Sequence, residues 1–435
     1  MMNDELASER RRRTTSLAGG VLALCCVMLG IACDRSGDAE ASQDAIRAMV
    51  DSMMPALERL SALAATEPVR LATQSVDEVR RYIEAKLAEE LPPEELEGVR
   101  ITYTMLGLLP DTLRLRDLLL DLYTEQIAGY YDPDTGQLYV VDGVPAAALR
   151  TVVAHELVHA LQDQHTDLDS LIDGRRGNDR QTAAQAAIEG HATLVMFALL
   201  AEEATGRTVD PALLPDPGAQ LGAGFGGGAQ FPVYERAPAI IRETLIFPYA
   251  GGASFVHHVW AADGSNPHTA PVGDNVPNST EQVMHPDTRF LNGIDSPTEL
   301  RFAAGQGWVV AYENTIGAFE IRIFLDEHLG RGTVSALGWD GDRFQLVETP
   351  AGARALVWVS VWDDAASADR FRHAVDLIRQ SGALGERASV SALDIEGRPA
   401  VQVIVTADTD PATVPVPALH CTDAAGTRQP CALTR

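Results

Sequence analysis

The chain has 435 residues, 46% of them hydrophobic, and a formal net charge of −27. That is apolar material for two or three domains with real cores and too much for a disordered chain. The acidity argues against nucleic acid and anionic membrane surfaces as partners, because both need local positive charge.

In chain order, Arg10 to Arg13 precede an apolar run over residues 17–32, the basic-then-apolar order of an export signal and short for a spanning helix. Residues 1–32 are therefore expected to be an export signal and 33–43 a polar tether. Leu29-Gly30-Ile31-Ala32-Cys33 resembles a bacterial lipoprotein cleavage box, with Gly30 where leucine is usual. Ordinary cleavage after Ala32, or a retained membrane anchor, also fits. Cysteine counting favours lipidation: Cys25 and Cys26 leave with the signal, Cys421 and Cys431 can pair in an oxidising compartment, and Cys33 is left single. The expected location is the bacterial cell envelope, with a membrane anchor at Cys33.

From residue 44 to about 126 the pattern reads as helices broken at Pro55, at Leu91-Pro92-Pro93 and at Pro110, with Asp111 or Thr112 capping a helix from Leu113. Tyr130 to Val141 reads as two short strands around an Asp-Pro-Asp-Thr-Gly turn. Next comes Thr151-Val152-Val153-Ala154-His155-Glu156-Leu157-Val158-His159, an H-E-x-x-H motif in an uninterrupted apolar helix. On a helix His155 and His159 share a face one turn apart and can hold one Zn²⁺. Glu156, rotated by about 100°, can take a proton from water at the metal, which suits peptide hydrolysis.

A catalytic zinc takes a third protein ligand, and two residues compete for the place. His165 has the third-histidine spacing of H-E-x-x-H-x-x-G-x-x-H, but Gln162 stands where that pattern has the glycine that turns the chain. Glu189, in Ala186-Ala187-Ile188-Glu189-Gly190-His191, is an acid in a helix rich in small residues, which let helices pack closely, and is the favoured ligand. This layout resembles the gluzincins, the thermolysin-like zinc peptidases. Four stretches further resemble a family of bacterial exported H-E-x-x-H proteins: Glu125 to Pro133, His155 to His165, Ile188 to Thr193, and Asn278 to Pro286. The resemblance implies a gluzincin-like core over about residues 120–290, with a strand beside the zinc helix that pairs with extended substrate.

Peptide hydrolysis also needs an oxyanion donor, and the candidates are His285, behind a Ser-Thr-Glu-Gln capping signature, and Tyr249 in Pro248-Tyr249-Ala250-Gly251-Gly252. Asp163, four residues after His159, reads as an exposed helical acid. The glycine-rich run from Leu221 to Phe231 lacks a phosphate-loop lysine and reads as a mobile connection. Residues 236–262 read as a helix pair interrupted at the Pro-Tyr-Ala-Gly-Gly break, and His257-His258 point apart on a helix, too far for one metal.

Beyond residue 293 the pattern changes to helix at 314–328, strands at 343–348 and 355–362, helix at 366–380, and strands at 388–393 and 400–406. The expected fold class is α+β: a mainly helical zincin-like core over 44–293 with a short hairpin, and a small C-terminal α+β unit over 294–435. The expected function is zinc-dependent peptide hydrolysis of a peptide or protein substrate. The alternative is a zinc-binding, chaperone-like or interaction lipoprotein without proteolysis, against which the intact Glu156 argues.

Overall fold

The computed structural model describes residues 43–174, 177–224, 231–265, 268–303, 308–349, 352–407, 409–414, 419–422, 428–430 and 433–434. The expected export signal, Cys33, the expected tether up to residue 42, the expected Cys421–Cys431 pairing and glycine-rich residues 225–230 lie outside the described residues.

The fold is α+β. Helix α1 (Gln43–Ser61) buries Ile46, Val50, Met53, Leu57 and Leu60, one apolar stripe at three- and four-residue spacing. It runs through Pro55, contrary to the expected break, because the proline lies on the exposed side while the stripe holds the helix in place. The other breaks are present: α2 (Val76–Glu90) stops before Pro92, and α3 (Pro93–Met105) starts on a proline at its first turn. Helix α4 (Leu115–Gln126) begins later than expected, with Arg114 at its N-cap and no side-chain cap, so neither Asp111 nor Thr112 plays that part.

One segment expected to be helical is a strand. β1 (Arg70–Gln74) pairs in parallel with β3 (Gln137–Val141), and β3 pairs antiparallel with β2 (Gly129–Asp132), giving the order β1-β3-β2. Five residues with only Leu71 buried carry too little alternation to mark a strand; β3 supplies its pairing. The expected hairpin is β2 and β3, and β2, one of the two edge strands, is buried at all four residues.

The core consists of α5 (Ala146–Asp163), the short α6 (Leu168–Leu171), α7 (Asn178–Thr205), α8 (Pro217–Gly224), α9 (Pro232–Arg236), α10 (Ala239–Asp263) and α11 (Thr280–Met284). Instead of a helix pair, α10 is one helix through Pro248, Gly251 and Gly252. Packing explains it: a Cβ on Gly252 would overlap the Ala186 carbonyl of α7, and one on Gly190 would overlap the Gly252 backbone. Contact that close between two long helices outweighs the low helix propensity of glycine and proline. Helix α7 is long and apolar enough to cross a membrane, yet 83% of its most apolar window is buried inside the protein, as in a core helix.

In the C-terminal unit, β5 (Val309–Asn314), β6 (Trp339–Glu348), β7 (Arg354–Trp362), β8 (Arg387–Ile395), β9 (Arg398–Thr406) and β12 (Leu433–Thr434) form one sheet in the order β12-β8-β9-β7-β6-β5. Helices α12 (Gly317–Leu329) and α13 (Ala365–Gln380) match the expected positions. A small sheet of β4 (Leu300–Phe302), β10 (Leu419–Thr422) and β11 (Arg428–Pro430) puts Leu300 and Leu419 against Val359 and Val361.

Candidate metal centre

Helix α5 is buried on nearly every side, so its polar side chains have to meet partners inside the protein. Two faces serve two partners. His155 and His159 point at α7, where Glu189 meets both. Glu156 points at β2, and its Oε2 accepts the Tyr131 backbone N–H at 2.9 Å. The strand comes this close because residue 129 is glycine: a Cβ there would lie 2.7 Å from a Val152 methyl carbon.

His155 Nε2, His159 Nε2 and Glu189 Oε2 form a triangle with sides of 3.1, 3.1 and 3.3 Å. Three ligands each about 2.0–2.1 Å from a tetrahedral metal would stand roughly 3.3–3.4 Å apart. All three residues are buried, at 1%, 4% and 3% exposure. This group can bind a metal ion. Burial lowers the pKa of His155. At His159 the same burial is outweighed by the Glu189 charge and the pKa rises, while burial at Glu189 is outweighed by the two imidazoles and its pKa falls.

The small residues beside Glu189 do a different job from the one expected. Ala186 and Gly190 seat α10, not the H-E-x-x-H helix, so the close crossing fixes α7 from behind. Helix α10 brings Tyr249 to the centre: its ring lies 6.0 Å from that of His155 and is buried. His285 is not brought there. It is the half-buried C-cap residue of α11 and stands outside the three-residue group; burial and the neighbouring Arg289 lower its pKa. His165 is exposed and donates from Nε2 to the Ala64 carbonyl at 2.7 Å, so it is no ligand. His257 and His258 diverge as expected, one to the Leu214 carbonyl and the other to Asp287.

Asp163 differs from expectation. It is half-buried and accepts the Tyr131 hydroxyl at 2.8 Å, so Tyr131 ties β2 to α5 at two points. The residue that orients His159 is Gln162, whose Oε1 accepts from Nδ1 at 2.7 Å. Gln162 also meets His191; the sequence marked Gln162 only as the missing glycine and gave His191 no role. The available signal was spacing, since Gln162 stands three residues after His159, a neighbouring position on a helix. Glu125, in the first of the four family-like stretches, accepts the Val233 and Tyr234 backbone N–H groups and caps α9.

Residues 309–418 match a domain of unknown function, DUF8575, which covers most of the C-terminal unit and none of the metal-centre residues. No curated protein and no solved structure matches the chain.

Proposed function

We propose that the chain is a zinc-dependent peptidase of gluzincin type. The observation that carries the reading is the triangle of two imidazole nitrogens and one carboxylate oxygen, sized for a single small cation, with Glu156 next in sequence to His155. His155, His159 and Glu189 would hold the ion. Two neutral imidazoles and a carboxylate suit zinc better than the harder magnesium or calcium.

Bound zinc supplies Lewis acidity that brings the pKa of a coordinated water to about 7. The protein residues do the rest. Glu156, oriented by the Tyr131 N–H at one oxygen, takes a proton and returns it to the leaving amine. The Tyr249 hydroxyl serves the developing oxyanion, a role for which its place beside His155 favours it over His285. An extended peptide would pair with β2. The basic-then-apolar N-terminus and Cys33 support a place in the cell envelope as a lipid-anchored protein.

A second reading has its own support. Glu156 is 0% exposed and β2 is wholly buried, an arrangement that also suits a zinc-binding interaction protein without proteolysis.

The test is zinc content and cleavage of an unfolded protein by the purified chain beside Glu156→Ala. Stoichiometric zinc in both, with cleavage only in wild type, is expected. Stoichiometric zinc without cleavage above the Glu156→Ala background favours the second reading, and a wild-type protein without zinc sinks both.

A further inference from the structure

Behind His159 runs a chain of hydrogen bonds whose direction is fixed. Gln162 Nε2 donates to the Ile188 carbonyl at 3.0 Å and to His191 Nδ1 at 2.9 Å. Gln162 Oε1 accepts from His159 Nδ1 at 2.7 Å, and His191 Nε2 donates to the Ser61 carbonyl at 3.1 Å. Ser61, Gln162 and His191 are each 0% exposed, so water does not compete for these groups.

Two members of the chain cannot reverse, because a backbone carbonyl only accepts. The Ile188 carbonyl requires the NH₂ end of Gln162, which turns its oxygen towards His159. The Ser61 carbonyl requires a hydrogen on His191 Nε2, which leaves a lone pair on Nδ1 for the second N–H of Gln162. Each assignment forces the next, and the last places the hydrogen of neutral His159 on Nδ1. Its Nε2 is then a lone pair facing His155 and Glu189. The opposite tautomer would put a hydrogen where the ion has to sit.

We infer that Gln162 and His191 are positioning residues that lock His159 in the tautomer that ligates through Nε2, with the last carbonyl of α1 as the fixed end of the chain. This rests on the zinc reading above. It gives α1, which supplies no ligand, a part in forming the centre. It also accounts for Gln162 at the position where the H-E-x-x-H-x-x-G-x-x-H pattern has glycine. A carboxylate could accept from His159 but could not donate to Ile188 or His191, whereas a carboxamide does both.

The test uses the full chain labelled with ¹⁵N-histidine. Above about pH 9, the value to which, against burial, the Glu189 charge raises the His159 pKa, His159 is neutral, and NMR of the metal-free wild type should show it with its hydrogen on Nδ1 and His191 with its hydrogen on Nε2; with ¹¹³Cd bound, coupling should appear at His159 Nε2. Zn²⁺ affinity, measured by competition with a chromophoric chelator, should fall about 10- to 100-fold in Gln162→Leu. The circular dichroism spectrum should stay that of wild type while His159 loses its single-tautomer signature. His191→Gln can accept from Gln162 and donate to Ser61, so it should keep wild-type affinity where His191→Leu does not.

A neutral His159 in the metal-free wild type with its hydrogen on Nε2, or coordination through Nδ1, overturns the inference without recourse to any variant. Undiminished affinity in a folded Gln162→Leu protein does the same. A wild type that binds no metal but shows the stated tautomers leaves the hydrogen-bond lock standing and removes the zinc reading, so the two failures are distinguishable.

Discussion

Helix α7 carries buried polar residues at two places, and they are satisfied in opposite ways. At its N-terminus, Asp179 accepts from the backbone N–H and hydroxyl of Thr280, and Asn178 donates to Glu320. Glu320 also accepts the Tyr103 hydroxyl, and Asp342 accepts two backbone N–H groups and the indole N–H groups of Trp339 and Trp358. Here protein donors meet the carboxylates one by one, and the cluster joins the helical core to the C-terminal unit. Ten residues on, roughly 15 Å along the helix, Glu189 Oε2 faces the Nε2 atoms of two imidazoles, all three within 3.3 Å of one another. A buried acid met by donors is structural; acceptors that converge form a ligand site.

The sharpest way to break this comparison is to remove one acid from each cluster. Glu189→Ala takes away a proposed ligand, and Zn²⁺ affinity should fall by more than the about 10- to 100-fold typical of losing an outer-shell partner. Glu320→Gln keeps a group of the same shape at the seam and should leave affinity at the wild-type value. Chelator competition on both variants reads the difference, and equal losses would show that the clusters are not separate in function.

The two ends of the close helix crossing give the next largest contrast. Gly252→Ala drives a methyl into the Ala186 carbonyl, three residues from Glu189, and should destabilise by about 1–3 kcal/mol while weakening metal binding. Gly206 caps the far end of α7 at φ 64° with open space around it. Gly206→Ala should cost about 1 kcal/mol through backbone strain alone and leave the metal centre intact. Chemical denaturation with parallel metal titration checks both. Tight binding in Gly252→Ala would mean that the crossing does not set the position of Glu189.

The clusters should also answer pH in opposite senses. Burial pushes Asp179 from 3.8 up to about 7 and Glu320 from 4.5 up to about 8. A folded pKa raised in this way gives stability that is whole below the ordinary carboxylate range and is lost as pH rises through about 7 to 8. The melting temperature of metal-free protein should therefore fall between pH 6 and pH 9, and Glu320→Gln should flatten the decline. A flat wild-type curve would place the seam carboxylates in their charged form throughout. Metal affinity runs the other way and falls on acidification, because protons compete for His155 and His159.

Much of the candidate site was legible because its signals are local. H-E-x-x-H on an unbroken helix fixes two imidazoles by geometry alone, and the isolated acid Glu189 among small residues marked the third donor. The two helices and four longest strands of the C-terminal unit were legible for the same reason, β7 and β9 being nearly unbroken apolar runs. What escaped depended on partners distant in sequence. Pairing with β3 made 70–74 a strand; contact with α7 kept α10 whole through Pro248 and two glycines. The Gln162–His191–Ser61 chain joins three helices, and the periodicity of any one of them says nothing of it. His285 was read from its capping signature, which the structure bears out as a cap, since Ser279 accepts from the Gln282 N–H. A cap fixes where a helix starts, not what its last residue faces.

The smallest effect belongs to the residue with the strongest rival spacing. His165 stands six residues after His159, the distance at which a glycine-turned chain would return a third imidazole to the metal. In this protein α5 continues to Asp163, and the ring of His165 reaches the Ala64 carbonyl at the surface instead. His165→Ala removes one exposed hydrogen bond, for which a loss of about 0.5–1 kcal/mol is the upper range, and should leave zinc content and affinity unchanged. Loss of zinc in this variant with retention in Glu189→Ala would reverse the ligand assignment. It would also require the segment after Asp163 to refold towards the core, since His165 Nε2 is committed to the Ala64 carbonyl.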